Sequence, residues 1–364
     1  MNYKLLTPGP LTTSDTVKAV MNVDHCTWDQ EYKDITQEIR SELLRLAEVS
    51  ETDYTSILMQ GSGTFGVESV MSSMLLPTDH LLICANGAYG RRLKEMAEYA
   101  NLRYTLYEVA EDKIPDPKAV RAVIAAEPTI SAIAMVHSET TSGILNDIEA
   151  IAQIAKEKNL LLIVDAMSSF GGIPLNVAEL GIDFLVSSSN KCIQGVPGFS
   201  FVIARKKELE KRKGHAHSLS LDLYAQYEEM NHDGKWRFTS PTHTVLAFQQ
   251  ALKELQAEGG IEARYARYAS NNQLLRDEMA KLGYEAVIQA HQGPFITSFY
   301  YPEQGNFAFQ PFYDYLKAHG FVIYPGKISE LNCFRIGNIG EIYRTDIEQL
   351  LVVMKAYTEE NNDN

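Results

Sequence analysis

Three features of this sequence that could do chemistry each lie at the end of an apolar segment. The glycine-rich run "GSGTFG" begins at Gly61, Asp165 ends the segment "LLLIVD", and Lys191 follows "FLVSSSN". A glycine-rich turn before a helix offers backbone N–H groups to a phosphate. A buried carboxylate needs a cation, and a lysine in a poorly hydrated pocket can react as a neutral amine. The sequence therefore suggests an anion site, a counter-ion and a nucleophilic amine.

The glycine-rich run also matches the G-x-G-x-x-G fingerprint of dinucleotide-binding enzymes over residues 61–66. That fingerprint requires an acidic residue at the end of the next strand, to bind the ribose hydroxyls. The next strand-like segment instead ends at Asn86. Ser62 and Thr64 add hydroxyl donors suited to a single phosphate. A phosphate site is favoured, while a tight turn that needs glycine only for its backbone and a dinucleotide site remain as alternatives.

Asp165 and Lys191 also have ordinary interpretations, as a buried ion pair and as a surface lysine. The apolar neighbours Cys192 and Ile193 favour a protected position for Lys191. No H-E-x-x-H or comparable ligand set accompanies Asp165, so no metal site is expected. Tyr89 follows a further strand-like segment and supplies an aromatic ring. An anion site, a carboxylate, an amine and a ring to stack on are together what pyridoxal phosphate requires.

The elements that must position these residues alternate between strand and helix. Near-continuous apolar strands separated by helical segments predict a mostly parallel sheet that is covered by helices on both faces. In such a sheet, ligands bind at the carboxyl ends of the strands, where the polar residues described above are found. The predicted strands are 55–60, 80–86, 103–109, 130–137, 160–165, 183–189 and 199–205.

The pattern changes after residue 245, where two long helical segments precede shorter mixed elements. The later strands are predicted at 285–289, 296–301, 321–324 and 333–337. This mixture predicts a second, smaller α+β domain. We therefore expect an N-terminal arm over residues 1–15 that joins the small domain and the active site, a large domain over 16–245 and a small domain over 246–364.

Composition excludes several classes of partner. The chain has 364 residues and a formal net charge of -14, which disfavours binding to nucleic acid. It contains no 18-residue apolar run and begins without a secretory pattern, so no membrane association is expected. The 4 cysteines are scattered and form no C-x-x-C motif, which is typical of reduced thiols in the cytoplasm.

Several stretches resemble the class V aminotransferase family of fold-type I pyridoxal-phosphate enzymes, along essentially the whole chain. The resemblance implies a large domain with a seven-stranded, mostly parallel sheet between helices, and a smaller α+β C-terminal domain. It also implies pyridoxal 5'-phosphate as cofactor, small-molecule substrates and a homodimer with shared active sites. The matching stretches are "TPGP" (7–10), "GSGT" (61–64), "ANGAYGRR" (85–92), "HSETTSG" (137–143), "VDAMSSFGG" (164–172), "SSSNKCIQGVPG" (187–198), "TSPTH" (239–243) and "FRIGNIG" (334–340).

The resemblance implies a role for each matching residue around the cofactor. Lys191 would bind the cofactor covalently, and Asp165 would face its pyridine nitrogen. Tyr89 would stack on the ring, and Thr140 would hydrogen-bond near the ring hydroxyl. The residues expected around the phosphate are Ser62, Gly63, Thr64 and Asn190.

Three further residues are implied to complete the site. Thr239 would reach the phosphate bound by the neighbouring subunit, Arg335 would bind the acidic group of the substrate, and Gly9 would lie beside it. Additional cations that could bind an acidic substrate are Arg91, Arg92 and Arg344.

The resemblance leaves several activities to compare. Members of this family include alanine–glyoxylate and serine–pyruvate aminotransferases, which differ in the amine they use. A cysteine desulfurase would need a mobile cysteine in the C-terminal half, where Cys333 is the only candidate. Because Cys333 lies in the strand-like "NCFRIGN", the desulfurase interpretation is disfavoured.

Overall fold

A computed structural model describes residues 3–302, 307–328 and 331–362. Its strands are β1 (Lys4–Leu5), β2 (Tyr54–Gln60), β3 (His80–Ala85), β4 (Arg103–Glu108), β5 (Ala132–Val136), β6 (Ser138–Glu139), β7 (Ile144–Leu145), β8 (Leu161–Asp165), β9 (Phe184–Ser188), β10 (Phe199–Arg205), β11 (Ile296–Tyr300), β12 (Phe321–Val322), β13 (Tyr324–Pro325) and β14 (Cys333–Gly337).

Helices connect most of these strands. A short 3₁₀ helix (Val20–Asn22) directly follows the first α-helix. The α-helices are α1 (Asp15–Ala19), α2 (Gln30–Leu46), α3 (Gly63–Ser73), α4 (Ala88–Tyr99), α5 (Pro117–Ala126), α6 (Ile148–Lys158), α7 (Val177–Leu180), α8 (Lys206–Lys211), α9 (Leu223–Asp233), α10 (Thr242–Glu258), α11 (Gly260–Lys281), α12 (Phe309–Ala318) and α13 (Arg344–Asn362).

The central sheet has seven strands in the order β2-β10-β9-β8-β5-β3-β4. All neighbouring pairs are parallel except the two made by β10, which runs antiparallel to β2 and to β9. Every residue of β5 and β8 is buried, as expected when helices cover both faces. The predicted α/β class with a mostly parallel seven-stranded sheet is confirmed.

Local sequence explains how the helices of this layer begin and end. Helix α6 begins after Asp147, whose carboxylate accepts a hydrogen bond from Ala150 N at 3.0 Å. Its buried side chains recur at helical spacing from Ile148 to Ile151 and Ile154. It ends at Asn159, which adopts a left-handed conformation. The helix therefore presents one apolar stripe to the sheet and a charged face to solvent.

Two hydrophobic clusters account for most of the buried apolar side chains. The larger extends from Val17 to Ile261 around the central sheet, and the smaller packs Leu6 against residues 275–354. The predicted domain boundary at 245/246 falls inside α10, whose buried side chains belong to the larger cluster. The boundary itself stays a prediction.

The N-terminal arm crosses to the smaller cluster. Strand β1 pairs in parallel with β12, and Leu6 N donates to Val322 O at 2.8 Å. Gly337 N then donates to Leu6 O at 2.9 Å. This pairing carries residues 7–10 from the small domain toward the carboxyl edge of the central sheet.

One predicted strand is wrong. Residues 285–289 form only an isolated bridge between Ala286 and Phe299. Their backbone makes two bonds to β11, after which the chain turns away and His291 O accepts from Leu145 N. The segment therefore leaves the sheet before a ladder can form. Within the described residues, no helix is long and apolar enough to cross a membrane.

Candidate active site

A cavity of about 210 Å³ lies at the carboxyl edge of the central sheet. A single water needs only ~10–15 Å³ of such volume, so the cavity can hold a ring-sized ligand. Its walls bring together seven of the sequence-predicted residues, which come from four separate loops. They are Ser62, Gly63, Thr64, Tyr89, Asp165, Asn190 and Lys191.

The glycines of "GSGTFG" are required by the backbone conformation and by close packing. Gly61 has a φ of 116°, which side chains disfavour. A Cβ on Gly63 would lie 2.2 Å from Met167 Sδ, and one on Gly66 would lie 2.5 Å from Ser200 Oγ. The first close approach packs the start of α3 against the loop after β8, and the second packs the helix onto β10. The three glycines thus place the helix terminus at the cavity wall.

The start of α3 keeps its hydrogen-bond donors available. Ser62 is the residue before the helix, and its side chain makes no capping hydrogen bond. The backbone N–H groups of Gly63 and Thr64 donate no hydrogen bond within the described part of the chain. Free N–H groups at the positive end of a helix dipole attract an anion. This end of the cavity is therefore suited to a phosphate.

Asp165 is positioned by the end of β8. Its Oδ1 accepts from Met167 N at 2.9 Å, and 8% of the residue is exposed. Burial raises the pKa of Asp165 to about 6, an effect opposed by the Met167 hydrogen bond and increased by the Glu139 charge. A cation in the cavity would stabilise the ionised carboxylate and lower this pKa again.

Lys191 lies in the turn after β9, beneath the N-terminal arm. Its Nζ donates to Pro8 O at 2.6 Å. Burial lowers the pKa of Lys191 to about 8, because the charged amine is poorly hydrated there. A Cβ on Gly9 would lie 2.8 Å from Lys191 Nζ, so the backbone of the arm passes directly over the amine. A substantial neutral fraction near pH 8 makes this lysine an effective nucleophile and base.

Glu139 is a buried site residue that the sequence analysis did not identify. Its Oε2 accepts from Tyr89 N at 3.0 Å and Gly90 N at 3.2 Å, and its Oε1 accepts from Thr141 Oγ1 at 2.6 Å. Burial raises the pKa of Glu139, but these donors favour its ionised form. The carboxylate caps α4 in place of the local residue Gly87, and it thereby fixes the backbone that carries the Tyr89 ring.

Arg335 is close enough for its charge to affect Lys191, but it is not among the residues that line the cavity. It lies in β14, where its Nε donates to Pro325 O and its Nη1 donates to Thr140 O, both at 3.0 Å. An arginine has five N–H donors, so three remain without a partner in the described residues. Burial lowers the pKa of Arg335, and its charge is one of those that depress the pKa of Lys191. A buried guanidinium of this kind gains from binding an anion.

Three predicted or candidate residues lie away from the cavity, and three more predicted residues, Gly9, Thr140 and Arg335, are also not among its lining residues. Thr239 is exposed and does not line the cavity of its own chain. Arg91 pairs with Glu108 and Glu111, and Arg344 pairs with Glu348 in an exposed ion pair on α13. Neither Arg91 nor Arg344 lines the cavity, whereas Arg92 does.

The structure also decides against two alternatives. Asn86, which stands where a dinucleotide enzyme would place its acid, donates to Lys113 O and to Asn146 Oδ1, both at 2.8 Å. The Asn86 amide therefore has a structural role, because it links neighbouring loops through these hydrogen bonds. Cys333 is buried inside β14, and burial raises the pKa of its thiol. A rigid, protonated thiol is unsuited to the mobile nucleophile of a desulfurase.

Pyridoxal phosphate fits the residues present. Thr140 Oγ1 and Ser188 Oγ are both buried without a hydrogen-bond partner in the described chain. Ser188 lines the cavity, whereas Thr140 is not among the lining residues and its expected contact with the ring hydroxyl stays a prediction. A ligand with a polar ring and a phosphate would satisfy such groups, which are otherwise costly to bury. An amine, a carboxylate and a vacant helix terminus surround the same space.

Comparisons with known proteins identify the family of the chain. Residues 15–330 match the family model described as aminotransferase class-V. The chain is 54% identical over 100% of both chains to a 2-aminoethylphosphonate–pyruvate transaminase of Lysinibacillus sphaericus. It is 55% identical to the transaminase of the same name from Salmonella paratyphi C, covering 98% of this chain and 97% of the relative.

The fold itself recurs in solved structures. The ureidoglycine–glyoxylate aminotransferase of Bacillus subtilis superposes with a TM-score of 0.90, covering 99% of this chain and 94% of the other. The sequence identity between the two is 23%, so this likeness concerns the fold alone.

Proposed function

The chain belongs to the aminotransferase class-V family, and from this membership we propose that it transfers the amino group of 2-aminoethylphosphonate to pyruvate. The products are phosphonoacetaldehyde and alanine, which places the reaction in phosphonate catabolism. The observation that carries the choice of substrate is the 54% identity over the full length of a transaminase of this name. The chemistry itself is supported by the amine of Lys191 and the carboxylate of Asp165 in one cavity.

Pyridoxal phosphate is the cofactor, and when bound it supplies an electron-accepting ring that stabilises negative charge on the substrate carbon. Lys191 is the residue that binds it covalently. With its amine free, Lys191 Nζ would take the proton from the carbon that bears the amino group. With a pKa of about 8 the amine can accept this proton and later return it. Asp165 is the counter-ion for the protonated ring nitrogen.

The remaining cavity residues bind and orient the cofactor. Tyr89 presents its ring at the start of α4, where Glu139 holds the backbone. Thr140 offers an unpaired hydroxyl. The N–H groups at the start of α3 bind the phosphate, together with the side chains Ser62, Thr64 and Asn190.

The substrate anion is assigned to Arg335. In 2-aminoethylphosphonate the reacting carbon carries no carboxylate, and the phosphonate is attached one carbon further away. Pyruvate and alanine carry their carboxylate on the reacting carbon. Arg335 retains three N–H donors, and a guanidinium can bind either anion through paired hydrogen bonds. Gly9 lies beside the same space and leaves room for the bound substrate.

The active form is proposed to be a homodimer in the cytoplasm. Thr239 is exposed and outside the cavity of its own chain, as required of a residue that completes the partner's site. The adjacent Phe238 is 49% exposed, and Trp28 is 71% exposed. Large apolar side chains on a surface favour contact with another protein. All 4 cysteines are free, which suits a reducing compartment.

A half-reaction assay tests the substrate and the role of Lys191. The holoenzyme is mixed with 2-aminoethylphosphonate without pyruvate, and we expect the cofactor absorbance to change and phosphonoacetaldehyde to appear. Lys191→Ala should abolish both changes. Lys156→Ala removes another lysine that donates to a backbone carbonyl, but on the outer helix α6, and should retain full activity. A brisk reaction with alanine and glyoxylate but none with 2-aminoethylphosphonate would contradict the proposed substrate.

A mixing experiment tests whether Thr239 acts across the dimer. Thr239→Ala and Lys191→Ala are each expected to lose activity. If Thr239 completes the partner's site, a mixed dimer contains one site with both native residues, and activity returns after subunit exchange. If Thr239 acts within its own chain, every site in the mixture stays defective and no activity returns.

A further inference from the structure

Arg92 is a cation that faces the cavity; it forms no salt bridge within the described residues, although its charge lowers the pKa of Asp165. It lies on α4 next to Arg91, but the two side chains leave the helix in different directions. Arg91 pairs with Glu108 and Glu111, whereas Arg92 lines the cavity and forms no salt bridge within the described residues. An unpaired guanidinium in a partly enclosed space gains from meeting an anion.

Arg92 lies near the end of the cavity where α3 begins. Its Nη1 is 3.4 Å from Thr64 Oγ1, and its guanidinium carbon is 4.9 Å from the centre of the Tyr89 ring. The ring supports the planar guanidinium from one side. The N–H groups of Gly63 and Thr64, which donate no hydrogen bond within the described residues, begin the helix that carries Thr64 and favour an anion there.

Given the proposed function, the site must neutralise two anions, the cofactor phosphate and the acidic group of the substrate. Two arginines are available, and they come from different domains. Arg92 contacts Thr64 on the large domain, whereas Arg335 extends from β14 of the small domain to Thr140 O. Lys191 is committed to the reacting carbon, so it cannot balance the phosphate. Among the described residues that line the cavity, Arg92 is the one cation besides Lys191, and its Nη1 lies 3.4 Å from Thr64 Oγ1.

We propose that Arg92 is a ligand of the cofactor phosphate, and that it adds a charge-assisted contact to the N–H groups at the start of α3. The phosphate would lie between the helix terminus and the guanidinium. Arg335 would then be left to the substrate. The proposal rests on the proposed function only for the identity of the cofactor.

Comparison of two ligands that differ by the phosphate tests this role without turnover. The full chain is freed of cofactor by dialysis and titrated with pyridoxal phosphate and with pyridoxal. Loss of a charge-assisted hydrogen bond typically costs about 10- to 100-fold in affinity. For Arg92→Gln we expect a loss of about this size for pyridoxal phosphate and an unchanged affinity for pyridoxal. Arg91→Gln, the neighbouring arginine outside the cavity, should change neither affinity.

Three other outcomes would overturn the proposal. An equal loss for both ligands would show that Arg92 supports the ring or the fold. Unchanged affinity for pyridoxal phosphate would also refute the proposal. If the KM for 2-aminoethylphosphonate were raised in that case, Arg92 would instead be a ligand of the substrate. If Arg92→Gln does not fold, Arg92→Lys retains the charge and should keep a clear preference for the phosphorylated ligand. Loss of that preference would refute the proposal. Ligand binding is measured without catalysis, so failure of the proposed transamination would be recognised separately.

Discussion

Replacing Asp165 by Asn should stabilise the protein when the cofactor is removed. Asp165 lies in the cavity at the end of β8, and burial raises its pKa from 3.8 to about 6. A group whose folded pKa is raised binds its proton more tightly in the folded state. The free energy of unfolding therefore falls as pH rises from about 3.8 to about 6 and stays lower above that range.

The size of the effect follows from the pKa change. A rise from 3.8 to about 6 corresponds to ~3 kcal/mol at pH values above both numbers. Asn is neutral at every pH, and its carbonyl can keep the hydrogen bond from Met167 N. Asp165→Asn without cofactor should thus be up to ~3 kcal/mol more stable than the native protein at pH 7. At pH 4 the two proteins should differ little.

Urea denaturation of both cofactor-free proteins between pH 4 and pH 7 measures this difference. Lys191 titrates with a pKa of about 8, above this window, and Glu139 is present in both proteins. With pyridoxal phosphate bound the order should reverse, because the carboxylate then has a cationic partner and Asn does not. The reasoning would be refuted if the free energies of unfolding of the two cofactor-free proteins changed in parallel with pH, or if the variant were less stable at pH 7. Either result would show that the Asp165 charge does not destabilise the cofactor-free protein.

Two further substitutions test how the cavity is built. Glu139→Gln removes the negative charge that faces the N–H groups at the start of α4 and turns an amide N–H toward Thr141, whose N–H also donates to Glu139, which should cost ~1–3 kcal/mol and lower kcat. The cap variant Asp147→Ala on α6 should lose a similar stability, measured by urea denaturation, at unchanged kcat. Gly9→Ala places a methyl group 2.8 Å from Lys191 Nζ, at a backbone φ of 123°. We expect this variant to form the Lys191–cofactor bond about tenfold more slowly or worse, equivalent to ~1.4 kcal/mol, as measured by stopped-flow absorbance. Gly214→Ala has a comparable φ of 80° with nothing within 4 Å, so it should not change that rate, and equal slowing by both glycine variants would contradict a specific contact.

The sequence predicted the sheet and much of the cavity because both depend on strand ends. Apolar strands are read from continuous runs, and the parallel arrangement brings their carboxyl ends to one edge. Lys191 and Asp165 each follow such a strand and do line one cavity. The glycines of "GSGTFG" were ambiguous, since the contacts that require them are made by Met167 and Ser200, far away in the chain.

Glu139 could not be identified in this way. It caps α4 from the short strand β6, which is distant from α4 in the chain, so the sequence offers no local capping pattern. The one signal was Gly87, which precedes α4 without any capping side chain and whose Cβ would lie 2.3 Å from Glu139 Cγ. The expected strand at 285–289 failed for a related reason, because apolar residues alone do not specify whether a sheet edge is available to them.

The pairing of β1 with β12 also constrains when the enzyme can become active during synthesis. Lys4 pairs with Phe321, so β1 finds its partner only after the residues up to β12 have left the ribosome. At ~5–20 residues per second, the arm waits roughly 15–70 s for that partner. Until then Pro8 and Gly9 cannot be held over Lys191, and the reactive amine stays uncovered. The nascent chain can assemble the central sheet early, but a competent site must wait until β12 has been synthesised.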